Sequence, residues 1–306
     1  MYKKFFGLRE NPFNVNPDPR FLYHTKETQE ALACLTYGIQ RRRGFILLTG
    51  EVGTGKTTLL NKLLEWLRGE RVATAFIFNP KLNVTQFLDF MMTDFGITCE
   101  TRLKSQVLVR LNHWLLERYR AGETATLIID EAQNLSMDVL EEIRLLTNLE
   151  TSTEKLLQIV LSGQPELEQK ISQPQLRQLR QRIMLRCKTF PLTLEHTQGY
   201  ITERLRIAGG DAQPAFTPEA IETIHKYARG IPRVINLLCE HALITAMAEE
   251  QRPVPASIVE EVAREFELHV SDPVALPSTP KQGENSQVVD SFQGLAGLMD
   301  WLQRPE

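Results

Sequence analysis

Short, unbroken apolar runs alternate with amphipathic stretches over the first 190 residues. The runs are 45–49 (FILLT), 72–78 (VATAFIF), 126–129 (TLII) and 156–161 (LLQIVL). Runs of this length, apolar throughout rather than every second residue, belong to strands buried on both faces, as in a parallel sheet. Between them, 56–68, 84–95, 104–121 and 136–149 repeat apolar residues every three or four positions and predict helices. Strands alternating with helices predict an α/β fold. Past residue 190 the strand pattern stops, and 193–208, 217–229, 232–250 and 255–268 all read as helices. Thr217-Pro218-Glu219 makes a start signal there: a capping hydroxyl, proline at the first helical position and an acid in the first turn.

This pattern divides the chain into an N-terminal segment with a helix (1–43), an α/β domain (44–190) and an all-helical domain (191–270). A Pro- and Ser-rich linker (271–287) and a short amphipathic tail (288–306) follow. In the tail, Phe292, Leu295, Leu298, Met299 and Leu302 recur at helical spacing beside Trp301. Such a face either folds back on the body or docks on a partner. No internal repeat is visible.

Composition narrows this further. The 306 residues are 42% hydrophobic and 24% charged, as in an ordinary globular protein. The formal charge of −3 resides in residues 271–306, leaving 33 basic against 33 acidic side chains in the first 270. That balance does not favour nucleic acid as a general partner. No apolar run approaches the ~18 residues of a membrane span, and the N-terminal MYKKFFGLRE is too short a pattern for a signal peptide. Cys34, Cys99, Cys187 and Cys239 form no CxxC pair and read as plain buried thiols of a reducing compartment. The expected location is the cytoplasm, without membrane insertion.

One segment carries a strong chemical signal. Gly50-Glu51-Val52-Gly53-Thr54-Gly55-Lys56-Thr57 is the pattern GxxxxGK[ST], between a predicted strand and a predicted helix that continues through Thr58. Its glycines let the backbone curl so that successive N–H groups point at phosphate oxygens. The helix that starts there adds the positive end of its dipole. Lys56 is the candidate ligand of the β- and γ-phosphates of ATP, and Thr57 of Mg²⁺. Downstream, Leu127-Ile128-Ile129-Asp130-Glu131 ends a strand in two acids at the sheet edge where α/β ligand sites lie. Adjacent carboxylates make physical sense beside a dication, so Asp130 is a metal candidate and Glu131 the group that polarises the attacking water. The run 156–161 leads into Ser162-Gly163-Gln164. Gln164, with Ser162 second, is placed to hydrogen-bond the γ-phosphate or the water, although a plain turn accounts for it nearly as well.

The arginines are harder to read. In LRQLRQRIMLR (176–186), Leu176, Leu179 and Ile183 share one helical stripe while Arg177, Arg180 and Arg182 point in different directions around it. A nucleic-acid helix would gather its bases on one side. Residues 183–190 can form a further strand, which puts Arg182 at the junction, facing a surface. Arg41-Arg42-Arg43 reads as a solvated helix end. In Gly230-Ile231-Pro232-Arg233, proline starts a helix and Arg233 opposes its dipole by ~0.3–1 kcal/mol. A bound anion, nucleotide above all, or a neighbouring acid would remove that penalty.

Together these parts resemble the AAA+ ATPases: P-loop NTPases with an αβα sandwich and a C-terminal helical lid. Within them the chain is similar to the ExeA-like family, through FFGLRENPFNVNPDPRFLY, LTGEVGTGKTTLL, IIDEAQNL, LSGQPEL, LRQLRQRI and GIPRVINLL, over about residues 1–268. The resemblance implies a Mg²⁺-dependent ATPase working as an oligomeric motor or switch, with a protein partner in secretion, pilus or exopolysaccharide machinery. It implies Arg182 as a finger reaching a neighbouring subunit's nucleotide, with Arg180 or Arg177 as the alternatives, and Arg233 as the sensor on the lid. It also implies that the segment holding Pro12, Phe13 and Tyr23 packs near the adenine; by composition alone these aromatics are core residues. Longer relatives continue into a membrane span and a peptidoglycan-binding domain, so a cytoplasmic partner is expected to carry any such output here. The competing class is a DNA-associated transposition regulator of the TniB and TnsC kind, for which the balanced charge gives little support.

Overall fold

A computed structural model describes residues 2–78, 81–99, 103–210 and 214–269. The linker and the amphipathic tail lie outside the described residues. Five strands form one parallel sheet: β1 (Phe45–Thr49), β2 (Val72–Ile77), β3 (Thr124–Ile129), β4 (Leu157–Gly163) and β5 (Leu185–Lys188), in the order β2-β3-β4-β1-β5. The apolar runs predicted the first four. The fourth extends through Ser162 and Gly163, because Gly163 pairs in register with Thr49 of β1. The segment 183–190 narrows to Leu185–Lys188, and before it only one helical turn forms, Arg177–Arg180, in place of a helix through 186.

Side-chain alternation places a helical layer on each face. Phe45 and Leu47 of β1 join Leu127, Ile129 and Leu161 in a core closed by α4 (Val84–Asp94), α5 (Lys104–Arg120), α6 (Met137–Leu146), α7 (Pro165–Ile171) and α8 (Arg177–Arg180). Ile46 and Leu48 point the other way, with Ile128, Val160 and Cys187, against α2 (Lys26–Gln40) and α3 (Lys56–Gly69). The three central strands β1, β3 and β4 are thus buried on both sides, which is why their sequences show no polar alternation, whereas the edge strand β5 exposes Arg186 and Lys188.

The remaining helices, α9 (Leu194–Ile207), α10 (Pro218–Ala228), α11 (Pro232–Ala248) and α12 (Ala256–Glu265), pack on one another around a second core. Thr217 caps α10 by accepting from the Ala220 amide at 3.1 Å, as its sequence predicts. The start of the N-terminal segment, ahead of α2, packs into this helical domain. The short α1 (Tyr2–Phe5), Phe6 and Phe13 are part of its core, and Phe13 meets Phe216 edge to face at 6.2 Å. Arg204 Nε donates to the Pro12 carbonyl at 2.5 Å. Asn61 of α3 donates to the Pro17 carbonyl at 2.7 Å and so ties this strap to the α/β domain. Phe13 is therefore a core residue with no face open to a base, whereas Tyr23 is half-buried beside Tyr200 and His196.

The cysteines depart from plain burial. Cys34 of α2 and Cys187 of β5 bring their sulfurs within 2.6 Å, Cys99 is exposed, and Cys239 alone sits isolated in a core. Sequence separation concealed this meeting of α2 with the edge strand. Among the described residues no helix is long and apolar enough to cross a membrane.

Candidate functional site

After β1 the chain crosses to β2 at the far edge of the sheet, leaving β1 between β4 and β5. A crevice opens at such a switch point, beyond the carboxyl ends of the strands. The loop Gly50–Gly55 fills it. Gly53 and Gly55 have φ of +79° and +92°, a left-handed conformation in which a side chain would be strained. Gly50 is required for space: a Cβ there would lie 2.0 Å from Thr189 Oγ1. Thr54 holds the loop's outer turn, donating to the Glu51 carbonyl at 2.8 Å and accepting from the Thr189 hydroxyl at 2.7 Å. Glu51 and Val52 are exposed at its tip, and Thr58 is half-buried in the first turn of α3.

Lys56 is 5% exposed and donates to the carbonyls of Gly50 (2.8 Å) and Glu51 (2.9 Å). Burial pulls its pKa below the ordinary lysine value, against the opposing pull of Glu131, Asp130, Glu51 and Glu166. A confined ammonium surrounded by acids and held on carbonyls has exchangeable hydrogen bonds to offer an anion.

Asp130 follows β3, two strands away from β1, and is 4% exposed. Its Oδ2 accepts from the Thr57 hydroxyl at 2.7 Å; its Oδ1 accepts from Ser162 Oγ at 2.8 Å and from the Glu131 amide at 2.9 Å. Ser162, on the strand between them, thus aims the carboxylate at the phosphate loop. A hydroxyl and a carboxylate in contact at the start of α3 are hard oxygen donors of the kind Mg²⁺ takes. The residues therefore fit the metal.

Glu131 sits in the left-handed region at φ +52°. For a non-glycine residue that costs about 1–3 kcal/mol, a strain that clusters at functional sites. Two amides fix its Oε2: Gln133 Nε2 at 2.5 Å and Gln164 Nε2 at 3.2 Å. Gln164 accordingly lies at the acid. Gln133 was not foreseen; its position two residues beyond the acids is a signal only once the turn of Ala132–Asn134 is seen to fold it back. Thr189 was also missed, since nothing in the sequence ties it to Thr54.

The lid contributes at the loop's other side. The Arg233 amide donates to the Gly53 carbonyl at 3.2 Å, and a Cβ on Gly53 would lie 2.8 Å from Arg233 Cβ. The Arg233 side chain is exposed and makes no ion pair with any described residue, so the neighbouring-acid reading of that arginine has no support. Arg182 is elsewhere. It precedes β5 at the amino-terminal edge of the sheet, where its Nη2 donates to Asn148 Oδ1 at 2.9 Å. Arg177 and Arg180 are exposed on α8.

This fold and this phosphate loop define the class, an AAA+ P-loop ATPase, and residues 39–171 match the AAA domain family. Within that class the chain is related to general secretion pathway protein A: it is 47% identical over 249 residues to that protein of Aeromonas hydrophila. The match covers 81% of this chain and 45% of the relative, so the chain spans about half the length of the protein it resembles. Among solved structures it is similar to Cdc6p from Pyrobaculum aerophilum (18% identity, TM-score 0.64, 80% of this chain and 68% of that one). It is likewise similar to the RuvB branch migration motor of Thermotoga maritima (16% identity, TM-score 0.55, 81% and 71%). At such identities these last two speak for the shared fold alone.

Proposed function

We propose that this chain binds and hydrolyses Mg²⁺-ATP between its α/β domain and its helical lid, and completes the reaction only in an assembly. The supporting observation is the division of the site between the two ends of β1. Lys56, Thr57, Asp130, Glu131 and Gln164 gather at the carboxyl end, whereas Arg182 is at the amino end. Five residues separate the ends, about 15 Å at the rise of a parallel strand. That is beyond the reach of one side chain, so Arg182 serves a neighbour's nucleotide rather than its own.

In this reading the loop amides of Gly50–Gly55 and Thr57 line the phosphates, and Lys56 exchanges its two carbonyls for β- and γ-phosphate oxygens. Thr57 and Asp130 would hold the magnesium ion, which when bound supplies positive charge across those phosphates. Glu131, held by Gln133 and Gln164, orients the attacking water and takes up its proton. Gln164 lies within reach of the γ-phosphate as well. Arg233, fixed by its own amide to Gly53, couples lid position to the γ-phosphate. The relative's name, general secretion pathway protein A, supports secretion as the setting, and in this reading the ATPase serves it through a protein partner.

A mixing experiment tests this. Arg182→Ala keeps its own acids, and Glu131→Gln keeps its finger. Each alone is expected to be inactive at assembling concentration, whereas a mixture recovers turnover because Glu131→Gln subunits lend Arg182 to their neighbours. Full activity of Arg182→Ala by itself, or no recovery on mixing, contradicts the proposal.

A further inference from the structure

Two thiols meet where α2 covers the β5 edge of the sheet. Cys34 of α2 and Cys187 of β5 are 153 residues apart, yet the Cys187 thiol donates to Cys34 Sγ at 2.6 Å. Both are free, and the packing of the helix on the strands fixes their meeting. Gly38, one turn beyond Cys34, lets α2 press on the sheet: a Cβ there would lie 2.5 Å from Ile46 Cδ1 and 2.8 Å from Leu185 Cδ1. Residues four apart share a helix face, and residues two apart share a strand face. Cys34 therefore goes with Gly38, Cys187 goes with Leu185, and one close approach sets both pairs. By contrast, Cys99 is exposed and Cys239 is buried in the core of the helical domain.

The two sulfurs are chemically unequal. Cys34 is half-buried, and the hydrogen bond it accepts from Cys187 draws its pKa below the ordinary thiol value against the effect of burial. The same bond, together with burial, pushes Cys187 up. The thiolate is the nucleophile in disulfide exchange, so Cys34 is the attacking group and the buried Cys187 thiol the one that resolves what it forms.

We infer that Cys34 and Cys187 form a reversible modification site, which takes a low-molecular-weight disulfide as oxidant and closes into an intramolecular disulfide. Cys34 loses its proton to solvent, attacks one sulfur of the small disulfide and expels the other half as a thiolate, which is protonated. Cys187 then gives up its proton and attacks Cys34 Sγ, and the second half leaves as a thiolate and is protonated in turn. Two protein thiols are oxidised, and one small disulfide is reduced to two thiols. In a reducing compartment such a bond is transient and reports oxidation. The closed loop, 34–187, contains Lys56, Asp130, Glu131 and Gln164 and leaves the helical domain outside. A cross-link over so long a loop removes many conformations from the unfolded chain. It also ties α2 to the strand that braces the phosphate loop. Thr189, two residues past Cys187, donates its amide to the Thr49 carbonyl at 2.9 Å and its hydroxyl to Thr54 at 2.7 Å. Oxidation therefore stiffens the loop's brace and slows release of nucleotide, a consequence that rests on the proposed ATP site, whereas the thiol chemistry does not.

Oxidised glutathione added to the reduced full chain tests this. Peptide mass mapping without reductant is expected to find Cys34 and Cys187 in one linked pair, lighter by the hydrogens lost, and dithiothreitol is expected to reverse the link. Denaturant titration of the oxidised chain is expected to show a folding equilibrium constant about 30–1,000-fold above that of the reduced chain. Cys187→Ala should stop at a mixed disulfide on Cys34, and Cys34→Ala should leave Cys187 unmodified, which separates attacker from resolver. A fluorescent ATP analogue should leave the oxidised chain several-fold more slowly than the reduced one. Wild type in which Cys34 and Cys187 stay unlinked while Cys99 takes up the reagent overturns the inference. Linkage with unchanged release overturns the bracing of the loop and leaves the modification site standing. A chain that binds no ATP but forms the link contradicts the proposed function alone.

Discussion

The two ends of β1 are built from the same strand yet ask for different company. At the carboxyl end the acting groups hold one another: Thr57 and Ser162 are tied to Asp130, Gln133 and Gln164 to Glu131, and Lys56 to the loop. At the amino end Arg43 and Arg182 hydrogen-bond only to neutral side chains, Tyr37 and Asn148, while Arg42 is paired with Glu154. A preorganised constellation is suited to holding charge that is already there, because its dipoles need no rearrangement. Unpaired cations suit charge that arrives with another molecule. In the proposed reading the chain thus separates what it does alone, gripping nucleotide, from what it does with a neighbour, completing the chemistry.

Removing Arg182 breaks this comparison most severely. Arg182→Ala is expected to lower turnover at assembling concentration by ~10³–10⁵ while leaving the monomer's ATP affinity as it was. Steady-state rates across protein concentration check this, since the defect should vanish into the basal rate at high dilution. Glu131→Gln is expected to lower turnover by ~10²–10⁴, the usual share of a general base, at every concentration alike. If both variants showed the same concentration dependence, the two ends would not be distinct in role.

Arg233 sharpens the comparison, as its amide donates to the loop while, in the proposed reading, its exposed side chain brings charge to the ligand. Arg233→Ala is expected to weaken ATP binding ~10–100-fold, the loss of one hydrogen bond to a charged group at about 1.5–3 kcal/mol. ADP, lacking the γ-phosphate, should bind almost as before. Calorimetry with both nucleotides decides it; equal losses would make Arg233 a structural part of the lid contact. A smaller effect is expected of Thr189→Val, which leaves the loop's Thr54 with one bond fewer. A net ~0.5–1.5 kcal/mol for such a bond corresponds to a few-fold weaker binding of ATP and ADP together.

The parts of the site that are legible in sequence are those that local chain geometry determines. The phosphate loop has its own spacing, and an apolar strand that ends in Asp130-Glu131 must deliver them at the sheet edge. The central strands β1, β3 and β4 were legible for the same reason, because burial on both faces leaves a mark in nearly every residue. What was not legible depends on pairs distant in sequence. Thr189 meets Thr54 only because β5 lies beside β1, and Cys34 meets Cys187 only because α2 covers that edge. Phe13 could be read as an aromatic near the ligand or as core, and its contact with Phe216, far along the chain, decides for core.

Lys56 offers the finest test, since it links the gripping end to proton uptake. Burial lowers its pKa from the ordinary 10.5, and the acids around it oppose that shift. Below the lowered value the ammonium is charged in the folded and unfolded chain alike, and its full desolvation cost is present. Between the lowered value and 10.5 the unfolded chain holds more protons than the folded one, so this lysine makes the nucleotide-free fold more stable as pH rises. Nucleotide works in the other direction. A triphosphate favours the charged form, so in the same window binding must take up a proton, and affinity is expected to fall by less than tenfold per pH unit. Titration calorimetry in two buffers of different ionisation enthalpy measures the proton uptake, and chemical denaturation across the window measures the stability. Lys56→Met should weaken ATP binding at all pH values and flatten both dependences. An affinity that declines equally in that variant would assign the proton to another group, and Lys56 would then bind phosphate with its charge never in question.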